Sequence, residues 1–281
     1  MSWLVTGAGG MLGTDLVGLL RASGTEVAAL TRADLDLRDS GAVRDALRGH
    51  RPRTVVNCAA WTAVDAAQTC EAEALAINGT AVGTLAEACA GVGARLVQLS
   101  TDYVFDGRGV GPYPENAPTG PVNAYGRTKL AGELAGADYV VRTAWLYGAH
   151  GPSFVRTMIR LAAERDTVDV VDDQYGQPTW TMDLAAQLVA LVTAEAPPGV
   201  YHGTNAGRTS WYGLAREVFT LLGLDPARVR PVAGEAFPRP ASRPANSVLG
   251  HDGWAAAGLT PMRAWREALA EALPTLGTGS K

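Results

Sequence analysis

The first thirteen residues constrain the fold more than any other stretch of the chain. Trp3-Leu4-Val5 is a short apolar run of the kind that forms a buried strand, and it passes at once into Thr6-Gly7-Ala8-Gly9-Gly10-Met11-Leu12-Gly13. Leu16, Leu19 and Leu20 then recur at helical spacing. A strand that turns through G-x-x-G-x-x-G into a helix is the opening unit of a nucleotide-binding α/β fold. Gly7 allows the sharp turn, Gly10 lets backbone approach a pyrophosphate, and Gly13 lets the helix pack hard on the sheet. The N-terminus of that helix then faces the anion with unpaired N–H groups.

The rest of the chain repeats the alternation. Strand patterns at Glu26-Val27-Ala28-Ala29-Leu30, Thr54-Val55-Val56-Asn57, Arg95-Leu96-Val97-Gln98-Leu99-Ser100 and Tyr139-Val140-Val141-Arg142 are separated by helical stretches, and Val168-Asp169-Val170-Val171 is expected as a sixth strand. The expectation is an α/β protein with a Rossmann-type doubly wound parallel sheet and a smaller C-terminal substrate-binding lobe. The lobe is expected because the alternation breaks down beyond that point, with a Pro-rich run from Phe237 to Pro244 before a last helix around Arg263 to Leu273. The expected division gives residues 1-144 and about 165-199 to the NAD(P)-binding domain, and about 145-164 and 200-281 to the lobe. The tail from Thr275 to Lys281 is expected to fray.

Ligands of open α/β sheets collect at the carboxyl ends of the strands, so the residues there are the candidate site. After the second strand stand Thr31 and Arg32, a hydroxyl and a guanidinium suited to a 2'-phosphate, which favours NADPH and leaves NADH open. Asp36 is a candidate partner for an adenine amino group, whereas Asp39 reads as a helix cap. Ala59 and Ala60, after the third strand, are small enough for a cofactor to lie on backbone. The fourth strand delivers Thr101 to the same edge, and the strand after it leads to Trp145.

Tyr125 and Lys129 are four residues apart, one turn of a helix that Asn123 can cap. A neighbouring ammonium favours the phenolate, so this spacing is that of a tyrosine acting as a proton donor, with Thr101 polarising the same substrate oxygen. The Gly- and Pro-rich stretch between Thr101 and Tyr125 is expected as a flap beside the substrate.

Composition excludes several other classes. A formal charge of -4 and scattered basic residues give no field for nucleic acid. Cys58, Cys70 and Cys89 lack C-x-x-C spacing, and the four histidines lie far apart, so reduced thiols and no structural zinc are expected. Charged residues or glycines interrupt each apolar run before bilayer length, and no basic leader precedes the first strand, so no membrane insertion and a cytoplasmic location are expected.

With these features in order, the chain resembles the extended short-chain dehydrogenase/reductases and, among them, the dTDP-4-dehydrorhamnose reductase family. The likeness rests on Ser100-Thr101-Asp102-Tyr103-Val104-Phe105-Asp106-Gly107, Asn123-x-Tyr125-Gly126-x-Thr128-Lys129, Asp173-Gln174-Tyr175-Gly176-x-Pro178-Thr179 and Ala241-Ser242-Arg243-Pro244-x-Asn246-Ser247. The resemblance implies reduction of the 4-keto group of dTDP-4-dehydro-L-rhamnose by a nicotinamide cofactor, with Thr101, Tyr125 and Lys129 as the catalytic set. Tyr125 and Lys129 also belong to the implied cofactor site, with Gly10, Met11, Leu12, Asp36, Ala59, Ala60 and Trp61. Gly7, Gly13, Arg32, Leu37 and Leu99 complete the candidate cofactor residues. Asp102 and Trp145 match positions that touch the sugar nucleotide, and Arg239 or Arg243 is a candidate for its diphosphate; Arg243 is carried forward as a substrate residue. Trp61 stands where the family commonly has a histidine. Members of the family can form homodimers around Mg2+, and Asp15 matches one such position without clear partner ligands. The motifs do not separate the rhamnose precursor from a related nucleotide-deoxyhexose, and a relative of the fold serves as a non-catalytic regulatory subunit.

Overall fold

The computed structural model describes residues 2–277. In chain order the first half comprises β1 (Trp3–Thr6), α1 (Met11–Ala22), β2 (Val27–Leu30), α2 (Ser40–His50), β3 (Thr54–Asn57), α3 (Val64–Thr69), α4 (Glu71–Leu75), α5 (Ala81–Val92), β4 (Arg95–Thr101), α6 (Ala124–Glu133) and β5 (Tyr139–Thr143). There follow β6 (Leu146–Tyr147), α7 (Phe154–Glu164), β7 (Val168–Val171), β8 (Tyr175–Gly176), β9 (Thr179–Trp180), α8 (Thr181–Thr193) and β10 (Gly199–His202). The chain ends with β11 (Thr209–Ser210), α9 (Trp211–Leu221), β12 (Val229–Val232), α10 (Asp252–Ala256) and α11 (Trp265–Leu276).

Six parallel strands form the main sheet in the order β10-β5-β4-β3-β1-β2. Every residue of β1, β3 and β5 is buried because helices cover both faces. On one face α1 and α8 contribute Leu16, Leu20, Leu184 and Leu188; on the other, α2 and α5 contribute Val43, Leu47 and Leu85. The strand order reverses between β1 and β3, so the glycine loop after β1 and Cys58-Ala59-Ala60 after β3 flank the crevice where such sheets bind ligands.

The sixth strand of this sheet is β10, not Val168–Val171. That segment, β7, pairs with β12 in a separate two-stranded ribbon, and its residues alternate between buried and exposed. Alternation marks a strand covered on one face only, whereas a strand inside a doubly wound sheet is apolar on both. Val168 and Val170 belong to a second core built by α7, α9 and α11 around Trp265, Phe219 and Leu269. The segment near 165-180 therefore packs with the second core, while α8 and β10 pack with the main sheet. Thr275 and Leu276, expected to fray, lie in α11, where Leu276 is buried and its carbonyl accepts from Arg156; residues 278–281 lie outside the described part.

Two further stretches bear on the sequence reading. The helical stretch Glu71–Val92 is, among the described residues, the one helix long and apolar enough by composition to cross a membrane, because its many alanines raise its mean hydropathy. It contains a π-turn at Ala76–Thr80 and packs on α2, α6 and β4. The stretch between Thr101 and Tyr125 is tied down. Asn246 Nδ2 donates to the carbonyls of Gly109 and Gly111, Tyr113 stacks on Phe105 and donates to Asp106, and the Asn246 amide donates to Gly107. This stretch is an ordered strap bound to the C-terminal segment, and Asn246 of the Ser-Arg-Pro-x-Asn-Ser run is its main fastener.

Candidate active site

At the end of β1 the backbone of Gly7 takes φ +63°, a conformation that side chains rarely adopt. A Cβ there would come 2.6 Å from the Ala59 nitrogen, so the turn also depends on the close approach of β3. α1 then starts at Met11 with no side-chain cap from Gly10, which leaves its first N–H groups directed at the crevice. This is a cradle for an anion.

The glycine loop opens a cleft of about 450 Å³. Gly7, Gly10, Arg32, Asp36, Leu37, Ala59 and Ala60 all line it. Arg38, which the sequence reading missed, lines it too and grips both oxygens of Asp36, with Nε 2.9 and 3.1 Å from them. The guanidinium holds the Asp36 carboxyl well below the usual carboxylate range. Among the described residues Arg32 has no such ion pair. Asp34 turns back to accept from the Thr31 amide and hydroxyl.

A second cleft of about 660 Å³ shares Gly9, Gly10, Cys58 and Ala60 with the first, so the two form one groove. Met11, Leu12, Gly13, Leu99, Thr101, Asp102, Tyr125, Lys129 and Trp145 line it. α6 supplies Tyr125 and Lys129, capped by Asn123 Oδ1, which accepts from the Gly126 amide at 2.8 Å. Gly126 lets α6 press against the turn after β4: a Cβ there would lie 2.1 Å from the Tyr103 carbonyl oxygen. The Lys129 ammonium is buried and donates to the Leu99 carbonyl at 2.6 Å.

The electrostatics differ from the expected phenol lowered by its lysine. Burial pushes the Tyr125 phenol up to about 12, against the pull of the Thr101 hydroxyl. Burial also pulls Lys129 down to about 8, although Glu133 and Cys58 act to keep it charged. Lys129 donates to the Leu99 carbonyl, and among the described residues no hydrogen bond joins it to Tyr125. Thr101 Oγ1 donates to Asp102 Oδ1 at 2.9 Å and accepts from the Tyr103 amide. Asp102 Oδ2 is buried without a partner at hydrogen-bonding distance, and burial pushes this carboxyl up to about 6.

Trp145 closes the far wall with φ +46°, a strained conformation for a bulky residue. Its ring stacks on Trp211 at 3.5 Å and 9°, and Gly176 leaves room for it, since a Cβ there would meet the indole at 2.5 Å. Trp211 sits on α9, remote in sequence, and only the fold reveals it. A third cleft, of about 450 Å³, shares Tyr103 and Trp211 with the second and carries Arg239 and Arg243 on its wall. Arg243 is held at 2.7 Å by Asp65 and also donates to the Ala241 carbonyl. Trp61 lines none of the three clefts: its indole donates to the Ala63 carbonyl and its ring packs beside Ala67, Ala74, Ala124 and Tyr125.

Asp15 does not offer a metal ligand to the surroundings. It is buried, accepts from Thr181 Oγ1 and lies 3.5 Å from His150, and among the described residues no three acidic, histidine or cysteine side chains gather to hold a metal ion.

Residues 1–277 match the family described as RmlD substrate binding domain. A Streptomyces griseus protein named dTDP-4-dehydrorhamnose reductase is 58% identical over 98% of this chain and 93% of its own. A Streptomyces niveus protein named dTDP-4-keto-6-deoxy-D-glucose reductase is 56% identical over 98% of this chain and 97% of its own. Among solved structures, a Bacillus anthracis dTDP-4-dehydrorhamnose reductase in complex with NADP superposes with a TM-score of 0.94 at 35% identity, covering 97% of this chain and 98% of that one.

Proposed function

The chain belongs to the RmlD substrate-binding family, and on that premise we propose that it reduces the 4-keto group of dTDP-4-dehydro-L-rhamnose to dTDP-L-rhamnose, with NADPH as reductant, in deoxysugar biosynthesis. One observation carries this reading: Thr101, Tyr125 and Lys129 meet in the middle of three contiguous clefts, with a glycine cradle on one side and two arginines on the other. The bound nicotinamide cofactor supplies a hydride. Tyr125 donates the proton that the developing alkoxide needs, and a phenol kept protonated by burial is ready to do so. Thr101 holds the same oxygen. Lys129, fixed by Leu99, orients the cofactor's ribose beside Tyr125.

Arg32, free of ion pairs among the described residues, receives the 2'-phosphate that distinguishes NADPH, and the NADP in the Bacillus anthracis relative supports that choice. Arg243 and Arg239 hold the substrate's diphosphate, with Asp65 limiting their charge. Trp145 and Trp211 enclose the sugar. The cofactor domain then comprises residues 2–144 with α8 and β10, and the remaining elements around the second core form the sugar-nucleotide lobe. A second acceptor, dTDP-4-keto-6-deoxy-D-glucose, is favoured by the name of the 56% identical relative.

The test is NADPH oxidation with each dTDP-keto sugar and with the free 4-keto sugar, following the product by mass. A two-hydrogen gain is expected with a nucleotide-linked sugar, the free sugar being a very poor substrate because the third cleft contributes binding that positions the reacting carbon. Tyr125→Phe should bind NADPH and lose about 10²–10⁴ in turnover. Equal rates for free and nucleotide-linked sugars, or an active Tyr125→Phe, would overturn the reading.

A further inference from the structure

Behind the second cleft lies a buried ion pair that the proposed chemistry does not use. Glu133 ends α6 one turn beyond Lys129, and Arg142 lies on β5; their side chains are each 5% exposed. The pair is bidentate, with Arg142 Nε 3.0 Å from Oε1 and Nη2 2.8 Å from Oε2 of Glu133. Ser100 Oγ also donates to Glu133 Oε1. Three consecutive residues of β4 are thereby joined to one face of α6. The Leu99 carbonyl receives Lys129, Ser100 binds Glu133, and the Thr101 hydroxyl acts on Tyr125. Tyr125, Lys129 and Glu133 follow one another at four-residue intervals, so they form a single row along the helix.

Taking the reductase reading as given, we propose that Glu133 is a positioning residue, whose buried carboxylate keeps Lys129 an ammonium and, through Ser100, sets the register of α6 against the catalytic strand. Among the described residues no carboxylate oxygen lies within ion-pair distance of Lys129, so the charge acts across the gap of one helical turn. The other charged or titratable groups around the row are Tyr125 on α6, Cys58 after β3, Asp102 and Tyr103 after β4, and Arg142 on β5. His202 on β10 and the Glu115 carbonyl contact Arg142 from behind. Cys58 and Tyr125 are both pushed up to about 12 and stay neutral near pH 8; Asp102, pushed up to about 6, is ionised there, but the groups that hold Lys129 charged are Glu133 and Cys58, and of these two only Glu133 is an anion in that range. Arg142 in turn donates to both oxygens of that carboxylate from the side away from Lys129.

The composition makes the test unusually direct, since Lys129 and Lys281 are the only lysines in the chain. Protein labelled with 13C at lysine Cε gives two side-chain signals, which Lys281→Ala assigns. In the wild type the buried signal should titrate near 8. In Glu133→Gln it should fall by about one pH unit, as expected for removing one anion at this range, and the alkaline limb of kcat/KM should move down with it. Arg142→Met, which removes charge from the other side of Glu133, should not lower it. A purely structural pair would leave the titration unmoved, or move it alike in both variants. Because Glu133→Gln leaves Arg142 buried and uncompensated, Glu133→Gln/Arg142→Met is measured alongside it and should show the same fall. An unchanged Lys129 titration in either folded variant overturns the proposal, and so does failure of both to fold, which would make the pair structural. The titration needs no turnover. Absence of keto-sugar reduction by the wild type would therefore sink the functional reading while leaving the role of Glu133 to the lysine signal.

Discussion

Replacing Gly126 by alanine separates the packing of α6 from its chemistry. The added Cβ would stand 2.1 Å from the Tyr103 carbonyl oxygen and 2.9 Å from Pro121 Cβ. The first neighbour is backbone, so no rotamer change relieves the contact, and helix and turn must part by about 1 Å to reach ordinary separation. Two effects on stability oppose each other. Alanine improves the helix by about 1 kcal/mol, whereas overpacking a tight contact costs about 1–3 kcal/mol. The net loss is about 0–2 kcal/mol, and the thermal midpoint should fall by no more than a few degrees. The effect on turnover is larger because the parted surfaces are the two walls of the site: α6 carries Tyr125 and Lys129, and the opposing turn follows directly on Thr101. A misplacement of about 1 Å at reacting groups costs on the order of 10²-fold in rate. The expected variant therefore melts nearly as wild type, binds NADPH, and reduces the nucleotide sugar about a hundredfold more slowly. Gly83→Ala is the control, because that helical glycine has nothing within 4 Å of its would-be Cβ and should only gain stability. Gly126→Ala with kcat/KM within about twofold of wild type would refute the argument that the Tyr103 contact sets the site's geometry.

Arg32→Ala should raise KM for NADPH more than for NADH, through loss of a charge-assisted hydrogen bond worth about 1.5–3 kcal/mol, while Arg38→Ala should alter the two alike because Arg38 is engaged by Asp36. Steady-state kinetics with both cofactors checks this, and the reverse pattern would assign the 2'-phosphate to Arg38. A second expectation concerns acid stability. Burial, then the Arg142 charge, pulls His202 down to about 3, so unfolding takes up a proton at this residue between about 6.5 and 3, and its contribution to stability is lost as pH falls through that window. Asp102, raised from 3.8 to about 6, has the opposite slope between those values. His202→Gln should therefore remove up to about 1.4 kcal/mol of stability loss per pH unit between pH 6 and 4. Denaturant melts across that range check it, and an unchanged slope would show that His202 is not held neutral.

The features legible in the sequence were those written locally. The turn at Gly7, the caps at Asp39 and Asn123, and the four-residue step from Tyr125 to Lys129 each depend on a few adjacent residues, and the structure contains them as read. What local pattern cannot carry is which strand joins which sheet. Val168–Val171 has strand composition, but its membership was decided by Val229–Val232, some sixty residues later. Trp211 was invisible for the same reason, since its partner Trp145 lies on another element and only the fold stacks them. The strap between Thr101 and Tyr125 was read as a flap from its glycines and prolines, which do not show what fastens it; Asn246 supplies hydrogen bonds from another part of the chain. Arg38 was within reach, two residues beyond Asp36, but an acid and a base so placed do not show by spacing alone that they close on each other.

The electrostatic reading failed in a more instructive way. The spacing of Tyr125 and Lys129 suggested a lysine lowering its tyrosine, and a pair of side chains in water would behave so. In the folded chain burial acts on both, and it acts in opposite directions on an acid that is neutral when protonated and a base that is charged. The phenol is raised to about 12 and the ammonium lowered to about 8, so the two values move apart, in the direction that keeps Tyr125 protonated. A proton donor for a ketone must hold its proton until the oxygen becomes basic, and a buried phenol meets that requirement without help. Lysine is then left with the harder condition, remaining charged in an apolar wall. Here the protein answers with fixed groups: the Leu99 carbonyl takes the hydrogen bond, and the carboxylate of Glu133, itself neutralised from behind by Arg142, lies one turn away. An arginine at position 129 would stay charged unaided. It would also be too long and too planar for the 2.6 Å reach to a single carbonyl beside Thr101, which is a physical reason for a chain so rich in arginine to keep a lysine at this one buried position.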